Sequence, residues 1–167
     1  MPVSTISVVV GNPSPASRTR QIAEDLAARI EALTGAAVQP TIELADHAPH
    51  LFEWKNEQLD ALNAQVASST FAVIATPTYK ASYTGLLKAF LDRYQHRGLA
   101  GVTAVPVFTI ASDAHALAVE FTLRPLLVEL GASVPTAGLS FATPRFDERA
   151  AVLDEWVERE GPLLAAR

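Results

Sequence analysis

Hydrophobic positions along the chain alternate between short apolar runs and longer stretches with helical spacing. The short runs are rich in β-branched residues, which is typical of strands buried on both faces of a sheet; they lie at 6–10, 38–44, 71–75, 102–110 and 134–141. The stretches between and after them predict helices at 17–33, 51–66, 85–94, 115–130 and 148–164. This alternation predicts one α/β domain over residues 1–167, with a doubly wound five-stranded parallel sheet, order 2-1-3-4-5, and helices on both faces.

Three of the prolines inside predicted elements carry expectations about local structure. Pro40 suits a strand at the sheet edge, because proline cannot donate a ladder hydrogen bond. Pro106 lies in the fourth strand, which is internal in this order, so we expect a bulge there. Pro125 removes the helical bond to the carbonyl of Phe121, so we expect a kink or a π-bulge in the fourth helix.

Charge and composition exclude several classes of function. The 13 basic residues are outnumbered by 18 acidic ones and form no basic run, so we expect no nucleic-acid partner. The chain has no cysteine, which excludes disulfides and thiolate chemistry, and His47 and His50 alone are too sparse for a metal site. No signal-peptide pattern and no apolar run near ~20 residues is present, so we expect a cytoplasmic protein without membrane contact.

The segment between the first strand and the first helix combines hydroxyl groups with a cation. Ser14, Ser17 and Thr19 supply hydroxyl donors, and Arg18 supplies a positive charge beside a helix N-terminus, which suits a phosphate. The loop matches neither the dinucleotide fingerprint nor the P-loop. A plain turn with Ser17 as the helix cap explains the same residues, and the loop alone does not decide between the two interpretations.

Two further loops follow the third and fourth strands, at the edge where open parallel sheets bind ligands. The loop after the third strand contains Pro77, Thr78, Tyr79 and Lys80, which offer an aromatic ring and backbone amides to a planar heterocycle. The loop after the fourth strand begins with Ser112-Asp113, residues that serve equally as an ordinary helix cap or as ligand contacts.

The stretch ATPTYKASYTGLLKAFLD resembles the second flavin loop and following helix of the NAD(P)H-dependent FMN reductases, which have a flavodoxin-like fold. The similarity is closest to the small reductases that supply reduced FMN to alkanesulfonate monooxygenases. Its most specific part is the pattern Pro-x-Tyr-x-x-Ser-x-x-Gly-x-Leu-Lys, and the first loop and the segment VEFTLRPLLVELGA agree with it. The resemblance extends from about Ile6 to Phe141.

This resemblance implies FMN at the three loops, with NADPH or NADH as hydride donor and no catalytic side chain, because hydride passes directly between the cofactors. Backbone N–H groups near Tyr79 and Lys80 are the candidates for stabilising negative charge on the flavin. Ser112 and Asp113 depart from the Gly-Gly pair of many relatives. The implied phosphate residues are Ser14, Ser17, Arg18 and Thr19, and the implied ring-binding residues are Pro77, Thr78, Tyr79 and Lys80.

The fourth predicted helix has a second apolar face, formed by Leu117, Phe121 and Val128, which indicates a subunit contact in a homodimer or homotetramer. In the resembled reductases, an irregular turn of this helix is associated with flavin release, and Phe121 stands where some of them have tyrosine. The resemblance also implies a flavin-dependent monooxygenase partner. Two alternatives stay open: a quinone or azo reductase with tightly bound FMN, and a flavodoxin-type electron carrier.

Overall fold

The computed structural model describes residues 3–166, which form one parallel sheet between two layers of helices. The strands are β1 (Thr5–Val10), β2 (Ala37–Val38), β3 (Ile42–Glu43), β4 (Phe71–Pro77), β5 (Thr103–Ile110) and β6 (Leu139–Ala142). The α-helices are α1 (Arg18–Thr34), α2 (Glu57–Ser68), α3 (Gly85–Leu91), α4 (Arg124–Glu129) and α5 (Arg149–Ala165). No helix within these residues is long and apolar enough to cross a membrane.

The strand order is β2-β1-β4-β5-β6, with β3 also paired to β1. The prediction of five strands was wrong, because the second strand is interrupted at Pro40 and forms two short pieces. β2 pairs with the start of β1 at Thr5 and Ile6, and β3 pairs with its end at Val9 and Val10. When β2 and β3 are counted as one interrupted strand, the order agrees with the predicted 2-1-3-4-5.

The predicted bulge at Pro106 is absent, and this expectation was wrong. Pro106 pairs in unbroken register with Ile74 of β4. The N–H of Ala104 donates to the carbonyl of Ser133 on the β6 side, and strand alternation turns the nitrogen of Pro106 to that same side. There β6 begins only opposite Val107, so the missing N–H of Pro106 removes no ladder bond.

The core lies in two layers, one on each face of the sheet, and the strands alternate their side chains between them. α1 and α5 cover one face with Ile22, Leu26, Ile30, Leu153 and Trp156. The other helices cover the opposite face with Leu59, Val66, Leu87, Phe90, Leu123 and Leu127. Each layer therefore positions the loops that emerge at the carboxyl ends of the strands.

α1 begins and ends where the sequence predicted it, to within one residue. The hydroxyl of Ser17 accepts a hydrogen bond from the N–H of Arg20 at 3.2 Å and caps the first turn. Gly35 ends the helix with φ 74°, and its N–H donates to the carbonyl of Glu31 at 2.8 Å.

α2 begins at Glu57, so the predicted helix start at residue 51 was wrong. Asn56 is the cap, since its side chain accepts from the N–H of Leu59. The preceding turn is held by Arg93, whose guanidinium donates to the carbonyls of Leu51 and Glu53. Arg93 lies just after α3 and far from this turn in the sequence. With the turn in this position, the side chain of Trp54 is exposed to solvent.

The segment between β5 and β6 is irregular, as Pro125 indicated. A π-helical turn at Val119–Leu123 precedes α4, and the N–H of Arg124 reaches back to the carbonyl of Val119. The predicted final strand was too long, because β6 begins only at Leu139. Before it, the guanidinium of Arg124 donates to the carbonyls of Val134 and Thr136 in place of a neighbouring strand.

Candidate functional site

A cavity of about 330 Å³ opens at the carboxyl ends of β1, β4 and β5, the edge that the sequence indicated. It is bounded by the three loops after these strands and by the residue that follows β6. The lining residues are Asn12, Arg18, Thr19, Pro77, Thr78, Thr109, Ile110, Ala111 and Thr143.

A chain of side-chain hydrogen bonds joins the three loops beneath this cavity. The amide of Asn12 donates to the hydroxyl of Thr19 at 3.0 Å, and that hydroxyl lies 2.7 Å from the hydroxyl of Thr109. Thr78 donates to the carbonyl of Thr109 through its N–H at 2.9 Å and through its hydroxyl at 3.1 Å. The loops after β1, β4 and β5 are therefore held in one fixed arrangement.

The close approach of β1 and α3 forms the base of the site. A Cβ atom at Gly11 would lie 2.7 Å from Cβ of Leu87, so only glycine fits at the end of β1. The hydroxyl of Thr84, the cap of α3, donates to the carbonyl of Gly11 at 2.6 Å. The N–H of Thr84 donates in turn to the hydroxyl of Thr76 in β4.

The first loop leads into α1 with the N-terminal turn of that helix facing the cavity residues. The N–H groups of Arg18 and Thr19 have no hydrogen-bond partner within residues 3–166, and no acidic residue lies in the first turn. Ser14 is exposed, and its N–H donates to Asn12 at 2.9 Å. Ser17 is the cap of α1, as the alternative interpretation proposed, and it is also the last residue of this loop.

The guanidinium of Arg18 is the positive charge of the cavity wall. It makes no ion pair within the described residues and lies 5.3 Å from the ring centre of Phe146. The neighbouring Arg20 is committed elsewhere, since it contacts both Glu24 and Glu43. The hydrogen bond to Glu24, followed by that to Glu43, raises the pKa of Arg20, so this charge is held by carboxylates.

The second loop is a tight two-residue turn with unusual backbone geometry. Tyr79 and Ser82 exchange hydrogen bonds of 2.9 and 3.1 Å, and Lys80 and Ala81 between them have φ of 51° and 63°. Positive φ at both central residues defines a type I′ turn, which normally selects glycine or asparagine. The N–H of Tyr79 is consumed within the turn, whereas the N–H of Lys80 has no partner among residues 3–166.

The structure places four of the ten predicted site residues in the cavity wall: Arg18, Thr19, Pro77 and Thr78. The other six lie in the loops around it and not in the wall: Ser14, Ser17, Tyr79, Lys80, Ser112 and Asp113. The third loop contributes Thr109 to Ala111 instead of Ser112 and Asp113, which are both exposed.

Sequence reasoning missed three polar lining residues. Asn12 follows Gly11 directly, and its position in the first loop was a usable signal. Thr109 is a lone hydroxyl near the end of an apolar strand, and the strand's direction toward the binding edge could have identified it. Thr143 follows β6, whereas the sequence indicated only the loops after the first, third and fourth strands.

Within residues 3–166, no group of three or more His, Cys, Asp or Glu side chains is placed to hold a metal ion. His50 instead lies 2.8 Å from the carboxylate of Glu53 on the surface, and that hydrogen bond lowers the pKa of Glu53.

Comparison with known proteins agrees with the resemblance seen in the sequence. An NADPH-dependent FMN reductase of Pseudomonas putida is 40% identical over 74 residues, covering 44% of this chain and 38% of that protein. The chain thus matches about two fifths of the length of this relative. An NADH-dependent FMN reductase, also from Pseudomonas putida, is 28% identical over 166 residues, covering 95% of this chain and 89% of that protein.

Solved structures show the same architecture. The apo form of an NADH:FMN oxidoreductase (EMOB) superposes with a TM-score of 0.84 at 31% identity, covering 94% of this chain and 88% of that one. The profile of one protein family matches residues 4–145, which include every loop of the cavity. The chain belongs to the NADPH-dependent FMN reductase family.

Proposed function

We propose that this protein is an NAD(P)H-dependent FMN reductase, which moves a hydride from NADPH or NADH to FMN. We propose further that it supplies reduced flavin to a partner monooxygenase of the sulfonate-desulfurising type. The observation that carries the first proposal is that the ends of β1, β4 and β5 meet at one cavity. Its wall includes the guanidinium of Arg18, which makes no ion pair among the described residues, and the first turn of α1, which has free N–H groups. Beside it lies the strained turn at Lys80 and Ala81, which offers the N–H of Lys80.

The phosphate end of FMN fits the first loop. Two N–H groups of the first turn of α1 and the side chain of Arg18 are free to bind an anion. Thr19 takes a different role from the one the resemblance implied. Its hydroxyl is buried and already engaged by Asn12 and Thr109, so it supports the loop through its side chain and offers the ligand its N–H.

The ring end fits the second loop. Pro77 and Thr78 supply a flat, partly apolar wall, and the N–H of Lys80 is a free donor for a ring oxygen or nitrogen. Two non-glycine residues with positive φ are costly, and such strain persists where the surrounding structure imposes it, most often at ligand sites. Tyr79, half exposed beside the turn, provides an aromatic surface at the cavity mouth.

Bound FMN would supply the redox chemistry itself, as a two-electron hydride acceptor. The chain's own contribution is to bind, orient and stabilise. Arg18 is the only ionisable side chain among the lining residues, so the cavity wall has no group suited to proton transfer at neutral pH. The loops would hold the flavin and nicotinamide rings in the arrangement that hydride transfer requires. Such positioning is the effect on which this kind of catalysis depends.

The first experiment measures oxidation of NADPH and NADH by purified protein, with and without added FMN, together with its flavin content as isolated. Colourless protein whose activity saturates with added FMN supports a flavin-donating reductase. Yellow protein that stays inactive until a quinone or azo dye is added indicates a reductase with tightly bound flavin. Absence of oxidation under every condition contradicts the proposal and leaves the electron-carrier alternative.

A matched pair of variants tests the proposed phosphate end. We expect Arg18→Gln to raise the dissociation constant for FMN about tenfold, which corresponds to one charge-assisted contact. Arg29→Gln in the same helix removes the same charge from a residue that pairs with Asp154, away from the cavity, and serves as the control. Equal FMN affinity in the two variants would remove Arg18 from the phosphate site.

We also propose that the chain acts as a single cytoplasmic domain in a homodimer or homotetramer. The exposed apolar face predicted on the fourth helix is present, with Leu117, Phe121 and Val128 exposed by 66%, 73% and 55%. Large side chains in contact with water at one irregular helix suit a subunit contact. Sedimentation across a concentration series tests it, and a monomer at every concentration would contradict it.

A further inference from the structure

We propose that Glu43 is a positioning residue: its buried carboxylate fixes the conformation of the first loop and thereby sets the affinity of the site for a phosphate group. The inference rests on the proposed FMN site and adds to it a residue outside the cavity wall. Glu43 lies at the end of β3, paired with Val10 of β1, and reaches under the loop that follows β1.

Both oxygens of this carboxylate are engaged. Oε1 accepts a hydrogen bond of 2.8 Å from the N–H of Ala16, and Oε2 accepts one of 2.8 Å from Nη1 of Arg20. The side chain of Glu43 is only 6% exposed. A carboxylate buried to this extent is stable only with such partners, so the loop and the carboxylate depend on each other.

The bond to Ala16 determines how the chain enters α1. Ala16 has φ 50°, a left-handed conformation that alanine adopts only at a cost, and it is followed at once by the cap Ser17. Because its N–H is bonded to Glu43, the peptide of Ala16 is held in one orientation. The hydrogen bond therefore compensates for the strain and fixes the point at which the free N–H groups of Arg18 and Thr19 are presented.

Charge alone would act in the opposite direction. A carboxylate near a phosphate repels it, and removing that charge would then tighten binding. Arg20 offsets this repulsion, because it lies between Glu43 and Glu24 at 2.8 Å from each. Glu24 also accepts from the hydroxyl of Thr41 but makes no contact with the loop, so it carries the same charge without the positioning bond.

The experiment compares FMN with riboflavin, which has the same ring system and no phosphate. Dissociation constants for both are measured by fluorescence quenching for the wild type and for Glu43→Ala, Glu43→Asp, Glu43→Gln and Glu24→Gln. Glu43→Asp keeps the charge but shortens the side chain so that it no longer reaches Ala16. Glu43→Gln removes the charge and leaves one acceptor oxygen, which can serve the N–H of Ala16 or the guanidinium of Arg20 but not both. Glu24→Gln is the charge control.

We expect Glu43→Ala and Glu43→Asp to weaken FMN binding about five- to tenfold, which corresponds to the net effect of one ordinary hydrogen bond. Riboflavin affinity should stay within about twofold in every variant, because the ring end is untouched. Glu24→Gln should stay close to the wild type, and Glu43→Gln should lie between the wild type and Glu43→Ala, because its one oxygen can serve only one of the two donors. Glu43→Asp keeps the inference testable if Glu43→Ala fails to fold.

Three results would overturn the inference. Tighter FMN binding in both Glu43→Ala and Glu43→Gln would show that Glu43 acts by charge. A parallel loss of FMN and riboflavin affinity would show a general structural role. Unchanged affinity in Glu43→Asp would show that the bond to Ala16 does not matter. If the wild type binds neither flavin, the proposed function is contradicted as well. This outcome is distinct from the three results above, which concern only the role of Glu43.

Discussion

α1 follows β1, and the segment from Asp113 to Glu129 follows β5, two strands that end at the cavity, yet these two elements are built in different ways. α1 is a regular helix of 17 residues, capped by Ser17 and Gly35, and its side chains at Ile22, Leu26 and Ile30 are fully buried. The second segment passes from a 3-10 turn through a π turn into the short α4, and part of its apolar surface faces solvent. The ends of α1 are capped by residues next to it in the sequence, whereas the second segment is stabilised by contacts with residues outside it.

The external support of the second segment is a small ionic network. The guanidinium of Arg124 contacts the carboxylate of Glu120 and the carbonyls of Val134 and Thr136. Glu120 in turn accepts from the N–H of Gly138 at 2.6 Å. A regular helix needs no such bonds, so the comparison shows that long-range side-chain contacts replace local capping where the helix is irregular.

The largest expected effect comes from the buried side of α1. Leu26→Ala removes a fully buried side chain, and we expect it to lower the free energy of unfolding by about 2–5 kcal/mol. Leu117→Ala is the matched change in the second segment, at a residue 66% exposed, with an expected cost below about 0.5 kcal/mol. Urea denaturation measures both at a concentration where the protein is monomeric. Similar losses of unfolding free energy in the two variants would contradict the difference between α1 and the second segment.

Next in size is the loss of the network at Arg124. Arg124→Met leaves two carbonyls and a carboxylate without their donor, and we expect a cost of about 2–3 kcal/mol. The control is Arg145→Met, which removes only an exposed ion pair with Glu148 and should cost below about 1 kcal/mol. The same denaturation experiment applies, and equal costs would show that the second segment needs no external support.

A smaller effect should appear on acidification. The hydrogen bond from Arg124, together with the N–H of Gly138, lowers the pKa of Glu120 below its ordinary value of 4.5. The folded state thus favours the ionised carboxylate. This stabilisation is present above the ordinary pKa and is lost as the pH falls through the lowered folded pKa.

The measurement is the stability of the wild type and of Glu120→Gln across this range. We expect the wild type to be more stable by about 1 kcal/mol near neutrality, with the difference closing below the ordinary glutamate pKa. A difference that stays constant with pH would show that Glu120 contributes by packing and not by its charge.

The smallest effect on monomer stability belongs to Phe121→Ala. Its ring is 73% exposed, so we expect a change within about 0.5 kcal/mol in the free energy of unfolding. If the ring lies in a subunit contact near the flavin, the variant should instead change assembly or flavin release. Sedimentation and stopped-flow release of FMN measure these, with Leu33→Ala on the exposed side of α1 as the control. No change in either would remove Phe121 from the proposed interface.

Sequence alone predicted the elements whose determinants are local. Ser17 and Gly35 mark the ends of α1 directly, and Pro125 indicated the irregular turn before α4. The buried strands β1, β4 and β5 followed from their apolar runs. The binding edge followed from chain direction, because the carboxyl ends of parallel strands must meet at the same side.

Features set by contacts between distant residues could not be predicted in the same way. Whether α2 starts at residue 51 or 57 depends on Arg93 holding the preceding turn. The late start of β6 depends on Arg124 satisfying carbonyls that a strand would otherwise pair. Glu43 reads in the sequence as an ordinary strand residue, and its contact with Ala16 joins positions 27 residues apart.

Two carboxylates bind the backbone just before β6, the strand at one edge of the sheet. Exposed strand edges invite pairing with another chain, and N–H groups already bonded to acidic side chains cannot take part. At the start of this edge, Glu120 occupies the N–H of Gly138, and the buried Glu160 occupies the N–H of Ala137 at 2.8 Å. Protonation of Glu120 would weaken its bond to Gly138, so strongly acidic solution should loosen the backbone before β6 and favour aggregation.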